Sequence, residues 1–432
     1  SLKRYNSQKE DDIVRKIELG NVGMDVSNNL ISGAQSLFGL KTELQFGKTS
    51  ITSVFSQQRS QTKTVTAQGG STLNEFELQT SQYTANKHFF LSQYFRNNYN
   101  KALAQFPLVN SNVNITNLEV WITNRSTNTT DVRNIVALTD LAESGVDVYD
   151  AMNSNITNAE VVPTNAFDHP DNSSNNLFAV LSDDRIRNIG TVMPALPSSM
   201  VQGTDFTILE NAKKLTNSEY TFHPQLGMLS LNRPLVDGDV LAVAFQYTYS
   251  GKEGIFKVGE LSTDGKLSSE NIVVKLLRSE LIQPANRIWD LMMKNVYSLG
   301  AYQMEQEGFR LDLLYKDDRT GVAVNTLQNA NSVYQQGGEE IKVSERSILN
   351  LVKLDSLDQN NFVKPKGDGY FDYVEGITVN SKDGSIIFPT VEPFGRDLKA
   401  KLTDASDANF LFEELYNNTQ TNARNSFQTK DK

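Results

Sequence analysis

Gly367-Asp368-Gly369-Tyr370-Phe371-Asp372-Tyr373-Val374-Glu375-Gly376 is the stretch whose residue types come nearest to site chemistry. Asp368 and Asp372, with glycines that let the backbone bend, can place carboxylate and main-chain oxygens around Ca²⁺. The EF-hand pattern is not met. Counted from Asp368, the closing bidentate position falls on Val379, which has no carboxylate. The competing reading is a glycine turn leading into a strand. Asp368 and Asp372 are therefore the calcium candidates, and no other metal or cofactor is expected.

The remaining chemistry is sparse. His88, His169 and His223 are isolated, none three or four residues from another histidine. No glycine-rich loop precedes a helix to cradle phosphate, and no serine sits in a nucleophile elbow. The adjacent acids Asp317-Asp318 and Glu339-Glu340 read as solvated surface. Without cysteine, thiol catalysis, disulfides, iron–sulfur clusters and cysteine-based zinc sites are all excluded. The expectation is a protein that is not an enzyme. With 41 basic against 51 acidic residues and a net charge of −10, no nucleic-acid partner is expected either.

The elements that would position these residues follow from pattern. No run approaches 18 apolar residues, so no transmembrane helix is encoded, whereas membrane β-strands need only about ten alternating residues. The 42 asparagines favour turns and caps and predict a loop-rich, strand-rich surface. Leu44 and Phe46, then Ile51 and Phe55, alternate on either side of Gly47-Lys48 and predict a hairpin. An aromatic stripe predicts a helix over 85–106, and Trp289 to Leu299 reads as another. Residues 219–249 predict three strands, the last alternating and half-buried. Hairpins are expected around 318–321 and 382–384, and short helices at 348–357 and 409–416. Thr221 to Leu231 and Thr378 to Phe388 echo one another: an extended residue, a turn, a glycine, then an apolar strand.

The fold class expected is α+β, mainly antiparallel β with inserted helices. The expected division is a linker over 1–39, a first α+β module over 40–265, a second over 266–416, and a polar, fraying tail over 417–432. Ser1-Leu2-Lys3-Arg4 opens without Met and without an apolar leader, and the expectation is a segment of a longer chain.

Several stretches resemble part of the SprA/Sov family, the outer-membrane translocon of the type 9 secretion system in Bacteroidota, also required for gliding motility. They are residues 30–47, Val54-Phe55-Ser56-Gln57-Gln58, and His88-Phe89-Phe90-Leu91-Ser92-Gln93-Tyr94-Phe95-Arg96. With them come Val113-Asn114-Ile115 leading to Glu119-Val120-Trp121, and Tyr220-Thr221-Phe222-His223-Pro224-Gln225-Leu226-Gly227. Trp289-Asp290-Leu291-Met292-Met293-Lys294-Asn295-Val296-Tyr297 and Glu392-Pro393-Phe394-Gly395 complete the set. The resemblance implies a segment like the family's N-terminal repeated module, taken from a chain several times longer. It implies strands contributed to a very wide outer-membrane β-barrel that passes folded cargo, with extracellular and periplasmic elaborations and a lateral opening. The implied partners are secreted cargo proteins and other secretion components, including a smaller shuttle barrel protein, and the implied location is the outer membrane. The family has no catalytic motif, so no active residue carries over. The rival reading is a soluble cell-surface binding or adhesion module, with calcium at Asp368 and Asp372.

Overall fold

A computed structural model describes residues 3–6, 13–23, 36–56, 67–68, 71–72, 75–127, 130–144, 161–162, 164, 168–181, 183–264, 266–316, 321–336 and 338–429. The chain forms two compact units, Ser1–Glu77 and Leu78–Lys432. The divisions expected at 39/40 and 265/266 do not coincide with this one. Residues 1–39 hold strands rather than a linker, and 262–270 connects two strands of one sheet.

The first unit is an antiparallel meander of β1 (Lys3–Asn6), β2 (Val14–Gly23), β3 (Ser36–Phe46) and β4 (Thr49–Ser56), with a small pair β5 (Ala67–Gln68) and β6 (Ser71–Thr72). Register sorts its side chains by type, because residues directly opposite share a face. Leu19 lies opposite Leu40, Ile17 opposite Thr42, and Leu44 opposite both Val14 and Ile51. The other face pairs Lys16 with Glu43 and Glu18 with Lys41. The predicted hairpin is present: Phe46 pairs with Thr49, and the two-residue turn puts Gly47 at φ +58°. The polar run expected to follow it lies, over 57–66, outside the described residues.

The second unit is built on β7 (His88–Phe90), helix α1 (Gln93–Ala102), β8 (Val113–Ile122), β9 (Val132–Leu138), β10 (Phe206–Lys214), β11 (Tyr220–His223), β12 (Met228–Leu231), β13 (Leu241–Tyr249), β14 (Phe256–Val258) and β15 (Ile272–Arg278). Strands β13-β15-β9-β10-β8 close into a five-stranded barrel, since β8 pairs with β13 as well as with β10. Only β15–β9 is parallel among these neighbours. Closure explains why Leu241 to Phe245 are buried on both faces rather than half-buried. Phe245 packs on Phe95 of α1, with ring centroids 6.1 Å apart, and the alternate face carries the small Ala242 and Ala244. Every residue of β15 is buried, including Lys275, which pairs with the equally buried Glu143 at 2.8 Å.

After the barrel come β16 (Val296–Ser298), β17 (Tyr315–Lys316), β18 (Ala323–Val324), β19 (Val333–Gln336), β20 (Glu339–Lys342), β21 (Val379–Asn380) and β22 (Ser385–Ile387). The β19–β20 ribbon and the helical turn Ile348–Leu351 cover a satellite core of Leu327, Tyr334, Ile341, Val343, Leu351 and Leu398. The two helices read from apolar spacing are corrected. Residues 88–90 are strand, because they pair with Met228 to Ser230, and the helix begins only at Gln93. Residues 289–299 give a short 3₁₀ turn, Arg287–Leu291, then β16 paired with β22. Within 409–416, helical structure is limited to the end of a 3₁₀ turn, Ala405–Phe410, and the start of the turn Glu414–Asn417. The tail does not simply fray. Helix α2 (Gln420–Thr429) buries Ala423, and the Gln420 amide donates to the carbonyls of Ser81 and Tyr83, both at 2.8 Å. The fold class is the expected one, mainly antiparallel β with few helices.

The sequence echo is a structural one. Sheets β11-β12-β7 and β21-β22-β16 share one strand order, and in both the residue after the third strand donates to the turn glycine: Leu91 to Gly227 at 3.0 Å, Leu299 to Gly384 at 2.8 Å. Gly227 and Gly384 adopt φ +59° and +65°. A Cβ on Gly384 would overlap the main-chain carbonyl of Ala301, whereas Gly300, at φ +68°, has open space. Both alanine variants meet the left-handed penalty of about 1–2 kcal/mol, but only Gly384→Ala also displaces backbone. Gly384→Ala should therefore lower stability by about 1–3 kcal/mol more than Gly300→Ala, a gap of the size seen for overpacking. Thermal unfolding of the two proteins checks this, and equal losses would refute it.

Candidate functional site

The calcium candidates sit in a loop held by reciprocal carboxylates. Asp355 accepts from the amides of Asp368 at 2.7 Å and Gly369 at 3.2 Å. Asp372 accepts from the amides of Ser356 at 2.6 Å and Leu357 at 3.2 Å. Asp368 turns its own carboxylate to the Tyr370 amide, 3.1 Å away. Gly367, at φ +67°, is required here, because a Cβ would overlap the Asp355 carboxylate. The two predicted residues thus serve different backbone partners, and Asp355 is the acid that sequence reasoning missed. Among the described residues no three of His, Asp and Glu gather in a cation-binding arrangement. Burial pushes Asp372 up to about 7, against its amide hydrogen bonds, and the nearby Asp355 and Asp368 charges push the same way.

The histidines are structural in their contacts. His88 is buried in β7 with Nδ1 2.8 Å from Ser230 Oγ, and burial lowers its pKa to about 4. His169 Nδ1 lies 2.8 Å from the Tyr247 hydroxyl. His223 accepts from the Leu226 amide at 3.2 Å and so helps to close its turn.

The residues that do converge are those of the family-like stretches. Phe89 forms a β-bridge with Met292, and the Met293 amide donates to the His88 carbonyl at 2.9 Å. Asn295 donates to the carbonyls of Phe388 at 2.8 Å and Thr390 at 3.0 Å, which ties the 289–297 stretch to the approach of Glu392. Together with the 413–417 turn they enclose a cleft of about 430 Å³. Helix α1 brings Arg96 to it, with Nη2 2.7 Å from Glu392 and 3.8 Å from Asp290. The Arg287–Leu291 turn, capped by Asn286, brings Trp289 and Asp290. Trp289 Nε1 donates to the Tyr416 carbonyl at 2.6 Å, and the Tyr416 hydroxyl accepts from the Phe394 amide at 3.1 Å. Gly395 allows that ring its place, since a Cβ there would lie 2.7 Å from it. Lys294 lies 4.6 Å over the Trp289 ring, and burial lowers its pKa to about 8. On the rim, Lys399 meets Glu413 at 2.8 Å. The cleft is lined by mutually paired charges over an aromatic floor. Such an arrangement can fix packing and offer polar contacts, and it presents no nucleophile with a base beside it.

Among the described residues no helix is long and apolar enough to cross a membrane. The family SprA_N, described as motility related/secretion protein, matches residues 3–251. That span covers the strands of the meander and the second unit through β13. No curated protein matches the chain.

Proposed function

From the premise that the chain belongs to the SprA_N motility related/secretion family, we propose that it is a non-catalytic structural segment of the outer-membrane protein-conducting channel of the type 9 secretion system, serving protein export and gliding motility. Its partners in this reading are secreted cargo, the other secretion components with the shuttle barrel protein, and the lipid of the outer membrane. One observation carries the proposal: the four-stranded meander is amphipathic by register. Strands β2 and β3 are 10 and 11 residues long, the length a tilted strand needs to cross the hydrocarbon core. Val14, Ile17, Leu19, Leu40, Leu44 and Ile51 share one face, and Lys16, Glu18, Lys41 and Glu43 the other. Leu19, Phe46 and Ile51 are about half exposed. Apolar-out, charged-in alternation is what a barrel wall with an aqueous lumen requires. The closed small barrel and the cleft then form its water-exposed elaboration.

The test places charge on one face at a time in the full-length protein. Leu44→Arg and Leu40→Arg should cost about 2–4 kcal/mol each where they meet the middle of the bilayer, and should abolish cargo secretion and outer-membrane assembly. Gln45→Arg, on the opposite face, should leave secretion near normal. Equal secretion from all three strains would sink the assignment of this meander to a barrel wall.

A further inference from the structure

Every charged side chain that lines the cleft beside α1 has an opposite charge within ion-pair distance. Arg96 meets Glu392 at 2.7 Å and Asp290 at 3.8 Å, and Arg396 lies 3.7 Å from the same Glu392. Lys399 pairs with Glu413 on the rim, and Arg287 with Asp140 behind the wall at 3.3 Å. The charges are balanced, but the hydrogen bonds are not used up. Arg96 reaches its acids through Nη2 alone. Its Nε and Nη1 have no hydrogen-bond partner among the described residues, and neither is sealed from solvent. The Arg396 side chain is 42% exposed, and its guanidinium makes no hydrogen bond among the described residues. Glu413 gives Oε1 to Lys399, and its Oε2 is open. The cleft thus presents unspent donors and an unspent acceptor with no net charge to neutralise.

Such a surface selects against charged ligands. At the floor the Arg96 and Glu392 side chains are 8% and 14% exposed. An ion that took one of them from the other would leave a largely buried charge uncompensated, which is costly. A zwitterion would meet that cost at both ends. A hydroxyl avoids it, because it accepts from a guanidinium and donates to a carboxylate at once. Neighbouring hydroxyls on a ring also match the paired, in-plane positions that guanidinium and carboxylate groups offer. A peptide unit holds its donor and acceptor on opposite sides and pairs best along a strand edge. The elements around this cleft are a helix and short helical turns, with no strand edge among them. Trp289 and Tyr416 are nearly buried, so they shape the wall and leave recognition to the polar groups. We propose that the cleft binds a neutral carbohydrate, whose hydroxyls accept from Arg96 and Arg396 and donate to Glu413. This inference is independent of the channel reading.

The test presents the 432-residue chain to an array of neutral oligosaccharides built from glucose, galactose, mannose, xylose and N-acetylhexosamines. Sulfated and sialylated counterparts and a set of unstructured peptides share the surface. Neutral oligosaccharides should bind, and their saturation-transfer NMR signal in solution should be the same at low and high salt, since no net charge is screened. Arg396→Gln and Glu413→Gln, both at well-exposed positions, should each weaken that binding about tenfold or more, the loss of one hydrogen bond to a charged group. Arg310→Gln removes an exposed, paired guanidinium outside the cleft and should bind as the parent does. The inference is overturned by no neutral glycan binding on the array or at millimolar concentration in solution, which is the result a water-filled cleft gives. Binding confined to acidic glycans or to peptides would overturn it too, as would neutral-glycan binding that survives in both cleft variants.

Discussion

Lys275→Met should lower the stability of the Leu78–Lys432 unit by about 3–5 kcal/mol, the cost of leaving one partner of a buried ion pair uncompensated. Lys275 and Glu143 are 1% and 0% exposed, with Nζ 2.8 Å from Oε1. Lys275 also donates to the Thr139 carbonyl, and Glu143 Oε1 accepts from the Gln93 amide at 2.9 Å, while Oε2 has no partner. A second pair, Arg287 and Asp140 at 3.3 Å, lies in the same patch. Burial raises the Asp140 pKa, and Arg287 and then Lys275 hold it down. Removing Lys275 therefore takes away one of the two positive charges that hold Asp140 down and should drive proton uptake there. A folded-state pKa raised above the unfolded one favours the fold at low pH and loses that advantage as pH rises. The deficit of Lys275→Met should accordingly shrink on acidification. The double variant Lys275→Met/Glu143→Leu should recover most of the loss, short of about 1 kcal/mol for the Gln93 amide left without its acceptor. Denaturant unfolding at two pH values reads all of this, and a Lys275→Met protein within 1 kcal/mol of the parent would defeat the argument.

What could be read from the sequence was local. The Leu44–Ile51 hairpin and the strands from Tyr220 to Tyr249 declare themselves by period two and by Gly47 and Gly227 at their turns. The misread segments owe their structure to distant partners. His88 to Phe90 is strand because Met228 to Ser230 lies beside it, and Val296 to Ser298 because Ser385 to Ile387 does. No window short enough to show periodicity contains both members. The cleft is hidden for the same reason: Arg96 meets Asp290 and Glu392 from far away in the sequence, and their ion pairs leave no local trace. The one signal that found them was indirect, since each lies in a stretch resembling the SprA/Sov family. In the acidic loop, composition singled out Asp368 and Asp372. Asp355 carries no pattern, and its role appears only when its carboxylate is seen against Gly367 and the amides that follow.

Asp372→Asn should flatten the dependence of stability on pH between about 4 and about 7. Asp372 is 8% exposed, and burial is the first cause of its rise to about 7. The folded state therefore holds a proton that the unfolded chain releases near pH 4, so stability from this residue is present in acid and lost as pH climbs through about 7. One proton is worth about 1.4 kcal/mol per pH unit, or on the order of 3–4 kcal/mol across the window. Asp355, also raised first by burial, adds a slope of the same sign, so the variant should be flatter rather than flat. The clamp itself survives protonation: a neutral carboxyl keeps its carbonyl oxygen for the Ser356 amide at 2.6 Å, whereas a carboxylate also brings a charge close to Asp355 and Asp368. Asparagine keeps that single acceptor and carries no charge. Its stability relative to the parent should thus improve steadily from pH 4 to pH 7 in denaturant titrations. Parallel curves over that range would mean that Asp372 stays ionised in the folded protein, with its amide donors outweighing burial.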